Sequence, residues 1–190
     1  MKTALRGKLL ATRSGLPAER RSDAARALRD AILALPQVEM AGTIAAYYSI
    51  ASEPDTHGLV YALWKRGSYV LLPILQEDGD LDWASYEGPD SLIPGPRGLL
   101  EPGEPPRGSA AVARADVVLV PALAVDYAGN RLGRGGGSYD RALARVSRQI
   151  PVIALLYDDE LIAQVPAEPH DRPVTAVARP TAGITLLPLQ

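Results

Sequence analysis

The chain has 190 residues, 47% of them hydrophobic and 22% charged, a balance that fits a single folded domain over 1–190 and excludes a disordered tract. A net charge of -2 gives no general attraction to nucleic acid or to an anionic membrane, so any anion must be held locally. The absence of cysteine excludes disulfides, thiolate nucleophiles and cysteine-held zinc or iron–sulfur clusters, and accords with a reducing cytoplasm.

The first residues, MKTALRGKLLATRSG, alternate basic and apolar side chains and lack the unbroken apolar core of a signal peptide. No other stretch approaches the roughly 20 apolar residues of a membrane span, so we expect a cytoplasmic protein without nucleic-acid or membrane partners. Ala4, Leu5, Leu9 and Leu10 fall near helical spacing and predict a helix from Lys2 to Arg13, with Arg6 and Arg13 on its other faces. Pro17 suits a first helical turn, and the stripe Ala24, Leu28, Ile32 and Leu35 predicts a second helix from Ala18 to Leu35, ended by Pro36. The apolar run Thr43 to Ser49 reads as a buried strand followed by a polar turn, Ser52 to His57. Leu59, Leu63 and Trp64 then form a helical pattern that stops at Gly67, and Tyr69 to Pro73 is the next strand, which completes a βαβ unit.

From Ile74 to Arg114 the chain is rich in glycine and proline, with one strand expected at Leu81 to Tyr86 and loop elsewhere, long enough to act as a lid. Asp116 to Pro121 is the strongest buried-strand signal. Ser138 to Val146 reads as a helix and Pro151 to Leu156 as a strand, giving a second βαβ unit with a long loop in its middle. Strands that read as continuous apolar runs between helices indicate a parallel sheet covered on both faces. We therefore expect an α/β, three-layer Rossmann-like fold with a mostly parallel sheet in a single domain. Ligands in such sheets sit beyond the carboxyl ends of the strands, where Ser49 to His57 and Pro121 to Asp140 both lie.

The segment Arg131-Leu132-Gly133-Arg134-Gly135-Gly136-Gly137-Ser138-Tyr139-Asp140 places four glycines and two arginines just before a helix. Glycine lets backbone N–H groups approach a phosphate closely, and arginine can neutralise phosphate oxygens bidentately. The Lys-Ser/Thr pair of a Walker A loop is absent, and Ser138 stands where a dinucleotide fingerprint needs its third glycine. An isolated glycine triplet equally suits a solvated turn. Asp140 suits a Mg²⁺ ligand beside phosphates and, equally, a carboxylate stabilising the first turn of the helix. His57 and His170 lack a matching set of metal-ligand partners and are assigned no catalytic role.

The block Val120 to Asp126 (VPALAVD) followed by Gly129 to Asp140 (GNRLGRGGGSYD) resembles the signature of the 5-formyltetrahydrofolate cyclo-ligase family. The basic N-terminal helix, Tyr47 to Thr56 (YYSIASEPDT), Gly98 to Pro102 (GLLEP) and Val165 to Asp171 (VPAEPHD) are similar to further family blocks. The likeness thus covers roughly Met1 to Val177. It implies closure of 5-formyltetrahydrofolate to 5,10-methenyltetrahydrofolate with cleavage of ATP to ADP and phosphate, with Mg²⁺ as cofactor. It further implies that the formyl oxygen is phosphorylated, after which a neighbouring folate nitrogen attacks and phosphate leaves.

Carried over residue by residue, the resemblance assigns ATP binding to Lys2, Arg6, Arg131, Leu132, Gly133, Arg134, Gly135, Gly136, Gly137, Ser138 and Tyr139. Arg134 and Tyr139 are the expected catalytic residues, and Asp140 and Asp171 the expected Mg²⁺ ligands. Ile50, Glu53, Asp55 and Tyr86 are expected to face the reduced folate. Relatives often carry a second tyrosine where this chain has Ser138, and a lysine or threonine where it has Gly136. The partners implied are ATP and 5-formyltetrahydrofolate, and we expect a monomer. Competing expectations keep the scaffold and change the role: another pterin or small formylated substrate, a regulatory module that binds ATP without consuming it, or an isomerase or CoA-transferase type of enzyme without ATP dependence.

Overall fold

Five strands run parallel through the middle of a seven-stranded sheet, and one antiparallel strand closes each edge. The structure, a computed structural model, describes residues 1–169 and 171–190, so His170 lies outside the described residues. The chain begins with α1 (Lys2–Ser14), α2 (Ala18–Leu33) and a single turn, α3 (Pro36–Glu39). Next come β1 (Thr43–Ala45), α4 (His57–Lys65), β2 (Tyr69–Leu75), β3 (Leu81–Ser85), β4 (Leu92–Pro94) and β5 (Leu100–Pro102). The second half holds β6 (Val117–Pro121), β7 (Ala124–Asp126), β8 (Arg131–Leu132), α5 (Ser138–Ala144), β9 (Val152–Leu155), β10 (Leu161–Ile162), β11 (Ala176–Arg179) and β12 (Gly183–Leu186). The large sheet runs β12-β11-β9-β6-β1-β2-β3; β10-β7-β8 and the β4-β5 hairpin form two small sheets.

The period-two geometry of strands explains why the central ones read as unbroken apolar runs. In β6, Val117 and Leu119 face Leu28 and Ile32 of α2 and Leu59 and Leu63 of α4. Val118 and Val120 face the opposite layer, with Ala142 and Leu143 of α5. Each such side chain contributes about 1.5–3 kcal/mol by leaving water, so every central strand is held from both sides. A third cluster joins Leu5, Leu9 and Leu10 of α1 to Leu123, Ala124, Leu132 and Val165. It fixes α1 on the small β10-β7-β8 sheet and thereby brings the basic face of that helix to the carboxyl end of the large one.

Both expected βαβ units are present, with β1 parallel to β2 and β6 parallel to β9. The second helix ends at Leu33 rather than Leu35, because Pro36 cannot continue it and opens α3 instead. The first strand stops at Ala45, four residues short of the expected end, although Ala46, Tyr47 and Ser49 stay buried. Thr56 replaces the ladder there: its hydroxyl donates to Tyr47 O and accepts from Ser49 N, and its own N–H donates to Ser49 Oγ. In the segment from 74 to 114 the expected strand is present as β3, and the stretch expected to be loop is more structured than its composition suggests, since β4 and β5 pair there as a hairpin. The last two strands, β11 and β12, were not apparent from sequence. Among the described residues no helix is long and apolar enough to cross a membrane.

Candidate active site

The carboxyl ends of β1 and β6 open into a cleft of about 400 Å³. Its walls come from α1, the 47–53 segment, β2 and β3, the β4–β5 hairpin and the glycine loop. Of the residues picked out in the sequence, Lys2, Arg6, Ile50, Glu53, Arg131, Leu132, Gly133, Arg134, Gly135, Gly136, Gly137, Ser138, Tyr139, Asp140 and Asp171 all line it. Residues more than 130 positions apart thus meet in one concavity.

The long connection between β6 and α5 is a hairpin organised by one buried carboxylate. Asp126 accepts hydrogen bonds from the N–H groups of Ala128, Asn130 and Val165 and from the side chain of Asn130. At its turn, Gly129 has φ 95° and a Cβ there would meet Val174 O at 2.6 Å, so only glycine fits. The chain then enters the glycine loop, where Arg6 Nε donates to Gly133 O at 2.8 Å and its guanidinium lies close to the Cβ position of Gly135. The basic helix and the glycine loop are therefore one unit.

Arg131 is almost wholly enclosed. It donates to Pro121 O at 2.8 Å and to Asp140 Oδ1 at 3.4 Å, and lies 5.6 Å from the ring centre of Tyr139. Burial pulls its guanidinium below the ordinary value, with Asp140 opposing, and its Nε has no hydrogen-bond partner among the described residues. A desolvated cation with an unused donor is prepared for an anionic oxygen. Arg134 is exposed at the loop tip. The Ser138 hydroxyl donates to Gly79 O at 2.6 Å, while Arg141 donates to Asp78 O and Arg145 pairs bidentately with Asp80. Three side chains of the glycine loop and α5 thus clamp the β2–β3 turn.

Across the cleft, Glu53 accepts the Ile50 N–H at 2.7 Å. Burial raises its pKa above the usual carboxylate range, opposed by that N–H, by Arg134 and by Arg13. Tyr139 and Tyr47 also face this region, their hydroxyls held protonated by burial and by the charge of Glu53. Two expectations need correction. Tyr86 does not line the cleft; its N–H continues the β2–β3 ladder to Val70 O, and its ring is 1% exposed, packed edge-on to Trp64 and behind Tyr48. Asp55 also lies outside it, accepting the His57 N–H at 2.7 Å at the start of α4, on a smaller neighbouring cavity that Ile50 and Glu53 share.

Arg13 is the residue that sequence reasoning placed least well. Its spacing sets it off the apolar stripe of α1, yet it is 2% exposed. It donates to both oxygens of Glu160 at 2.8 and 2.9 Å and to Ala122 O, and its guanidinium lies 5.5 Å from the ring centre of Tyr157. Burial alone would lower its pKa; the hydrogen bonds and charge of Glu160 outweigh that and hold it above its ordinary value. Tyr157 in turn reaches Ser52 O, so the pair ties α1 to the Glu53 segment. Tyr47, Arg97 and Glu168 also line the cleft without having been singled out; Tyr47 and Glu168 lie in blocks that resemble the family's, while Arg97 lies just before one.

Asp140, Asp171 and Glu168 bring carboxylates to the cleft beside the glycine loop. Asp171 accepts the Glu168 N–H at 2.9 Å. Among the described residues no group of three such side chains forms a closed cage. Dispersed carboxylates suit a hard cation that completes its shell with phosphate oxygens and water, as magnesium does.

The sequence model of the 5-formyltetrahydrofolate cyclo-ligase family matches residues 1–180. A 5-formyltetrahydrofolate cyclo-ligase from Mycolicibacterium smegmatis is 41% identical over 98% of this chain and 97% of that one. One from Escherichia coli K12 is 31% identical over 89% of this chain and 94% of its own length. Among solved structures, the 5,10-methenyltetrahydrofolate synthetase of Aquifex aeolicus superposes with a TM-score of 0.85 at 26% identity, over 100% of this chain and 94% of that one. The chain belongs to the 5-formyltetrahydrofolate cyclo-ligase family.

Proposed function

We propose that this enzyme closes 5-formyltetrahydrofolate to 5,10-methenyltetrahydrofolate and couples the closure to cleavage of ATP into ADP and phosphate. The observation that supports this reading best is the shared cleft. It sets a cationic glycine loop and basic helix on one side, and an acidic, aromatic wall with Glu53, Tyr47 and Tyr48 on the other. A phosphate donor and a carbonyl acceptor need such neighbouring, chemically distinct sites.

Lys2, Arg6 and Arg131 bind the nucleotide phosphates, with the backbone N–H groups of the glycine loop. Asp140 and Asp171 would hold Mg²⁺ with the nucleotide, and that ion would supply charge neutralisation on the phosphate oxygens when bound. Glu53 accepts hydrogen bonds from the amino and ring N–H groups of the pterin, and Ile50 supplies apolar contact. The formyl oxygen of the folate attacks the γ-phosphorus, and the bond from that phosphorus to the ADP oxygen breaks. The neighbouring folate nitrogen then attacks the activated carbon, loses its proton, and phosphate leaves with the former formyl oxygen. Arg134, exposed at the tip of the glycine loop, stabilises the negative charge that spreads over the transferring group. Tyr139 stays protonated far above neutral pH, so it serves as a hydrogen-bond donor to the reacting oxygens and not as a base.

The test is to mix the protein with 5-formyltetrahydrofolate, Mg²⁺ and ATP and follow the near-ultraviolet absorbance of methenyltetrahydrofolate. We expect a rise that requires ATP and releases one phosphate per ring closed. No rise, in the presence of an active control enzyme, overturns the assignment.

A further inference from the structure

The β4–β5 hairpin hangs over the cleft mouth, and its tip carries a cation in a backbone conformation that does not suit it. Arg97 has φ 58° and ψ 30°, the left-handed region that disfavours any residue with a Cβ. Glycine would relax this turn, and the next residue is itself a glycine with φ 76°. The tip is not loose. Gly95 N donates to Leu99 O at 2.8 Å, and the two strands pair from Leu92↔Pro102 to Pro94↔Leu100. At the base, the buried carboxylate of Glu101 accepts the Leu75 N–H and fills the space where a Cβ on Gly95 would stand. A fixed hairpin therefore delivers an exposed guanidinium to the cleft, and among the described residues Arg97 has no hydrogen bond or ion pair.

The other cleft cations are on α1, the glycine loop and β8; Arg97 enters from a different element and beside an apolar wall of Leu99, Leu100, Pro73 and Leu75. Reduced folates consist of a pterin, an aromatic amide and a glutamyl tail with two or more carboxylates. A folate whose pterin is at Glu53 and whose aromatic amide lies on this apolar wall has its tail at the mouth, within reach of Arg97.

We propose that Arg97 binds the carboxylates of the glutamyl tail and sets the preference of the enzyme for tail length; this rests on the folate reading above. The planar fork of arginine matches a carboxylate bidentately, which explains a side chain kept where the backbone favours glycine.

The test compares the wild type with R97G, which removes the cation and adopts the same φ without strain. We expect the KM for 5-formyltetrahydrofolate to rise about three- to tenfold, as for an ion pair at a wet rim, with kcat and the KM for ATP unchanged. We also expect the wild type to favour a triglutamyl over a monoglutamyl substrate, and R97G to lose that preference while its melting temperature is equal or higher. An unchanged folate KM, or a rise confined to ATP, overturns the proposal while leaving the functional reading intact. A wild type that does not turn over removes both.

Discussion

The Arg13–Glu160 pair allows the sharpest energetic prediction. Its side chains are 2% and 7% exposed, so removing either partner leaves the other charge buried without its counter-ion. Breaking such a pair from one side costs about 3–5 kcal/mol. For a chain of this size, about 2–4 °C of melting temperature is lost per kcal/mol, so Arg13→Met or Glu160→Leu should lower the midpoint by about 6–20 °C. The double variant replaces both charges with apolar groups and should recover most of that loss, giving a coupling of about 2 kcal/mol or more in a double-mutant cycle. Thermal denaturation followed by circular dichroism measures all four proteins. A single-variant drop below about 2 °C, or a strictly additive double variant, would refute the reasoning and place the pair with ordinary surface contacts.

Four further variants probe the site and its supports. Because the folded pKa of Glu53 is raised above 4.5, the native state binds more protons than the unfolded one between those values, and stability falls as pH rises through that window. Glu53→Gln should therefore raise the melting temperature at pH 7 while weakening folate binding, and in the wild type the folate KM should rise as pH falls through the Glu53 pKa; a KM flat across that window counts against Glu53 as the pterin acceptor. Arg145 holds the Asp80 carboxyl down at about 2, with partial desolvation opposing. The stability this confers is complete above the ordinary 3.8 and is lost as pH falls through about 2; urea titrations should find Asp80→Asn weaker by about 1–2 kcal/mol at pH 7, with the difference vanishing in strong acid. Asp140→Asn keeps an acceptor for Arg131 and should retain the melting temperature but lose about 100-fold in Mg²⁺-dependent turnover, while Arg134→Ala should lose at least as much in kcat with ATP still bound; steady-state rates within about threefold of wild type would remove either role.

The parts of this fold visible in the sequence are those set by local pattern. Val117 to Val120 and Val152 to Leu155 are buried on both faces, so they read as strands without knowledge of their neighbours. The glycine loop was equally plain, because its turns need backbone freedom that only particular residues provide. Arg13 was hidden because a helix with arginines at several positions does not reveal which one meets a carboxylate 147 residues later. Tyr86 was misplaced for the converse reason: an aromatic ring at a strand end suits a ligand wall or a core, and only the packing against Trp64 and Tyr48 decides. Arg97 was masked by the prolines and glycines around it, which read as loop and conceal a rigid hairpin.

The pairing of β1 with β6 has one more consequence. These strands are hydrogen-bonded neighbours, Ile44 beside Val117 and Ala45 beside Val118, and each feeds one of the two loops that meet in the cleft. The loops leave the sheet a single strand spacing apart, about 4.8 Å. The sheet therefore sets the distance at which the two segments depart, through backbone ladders that side-chain substitution does not reach; changes farther along either segment leave that starting point in place.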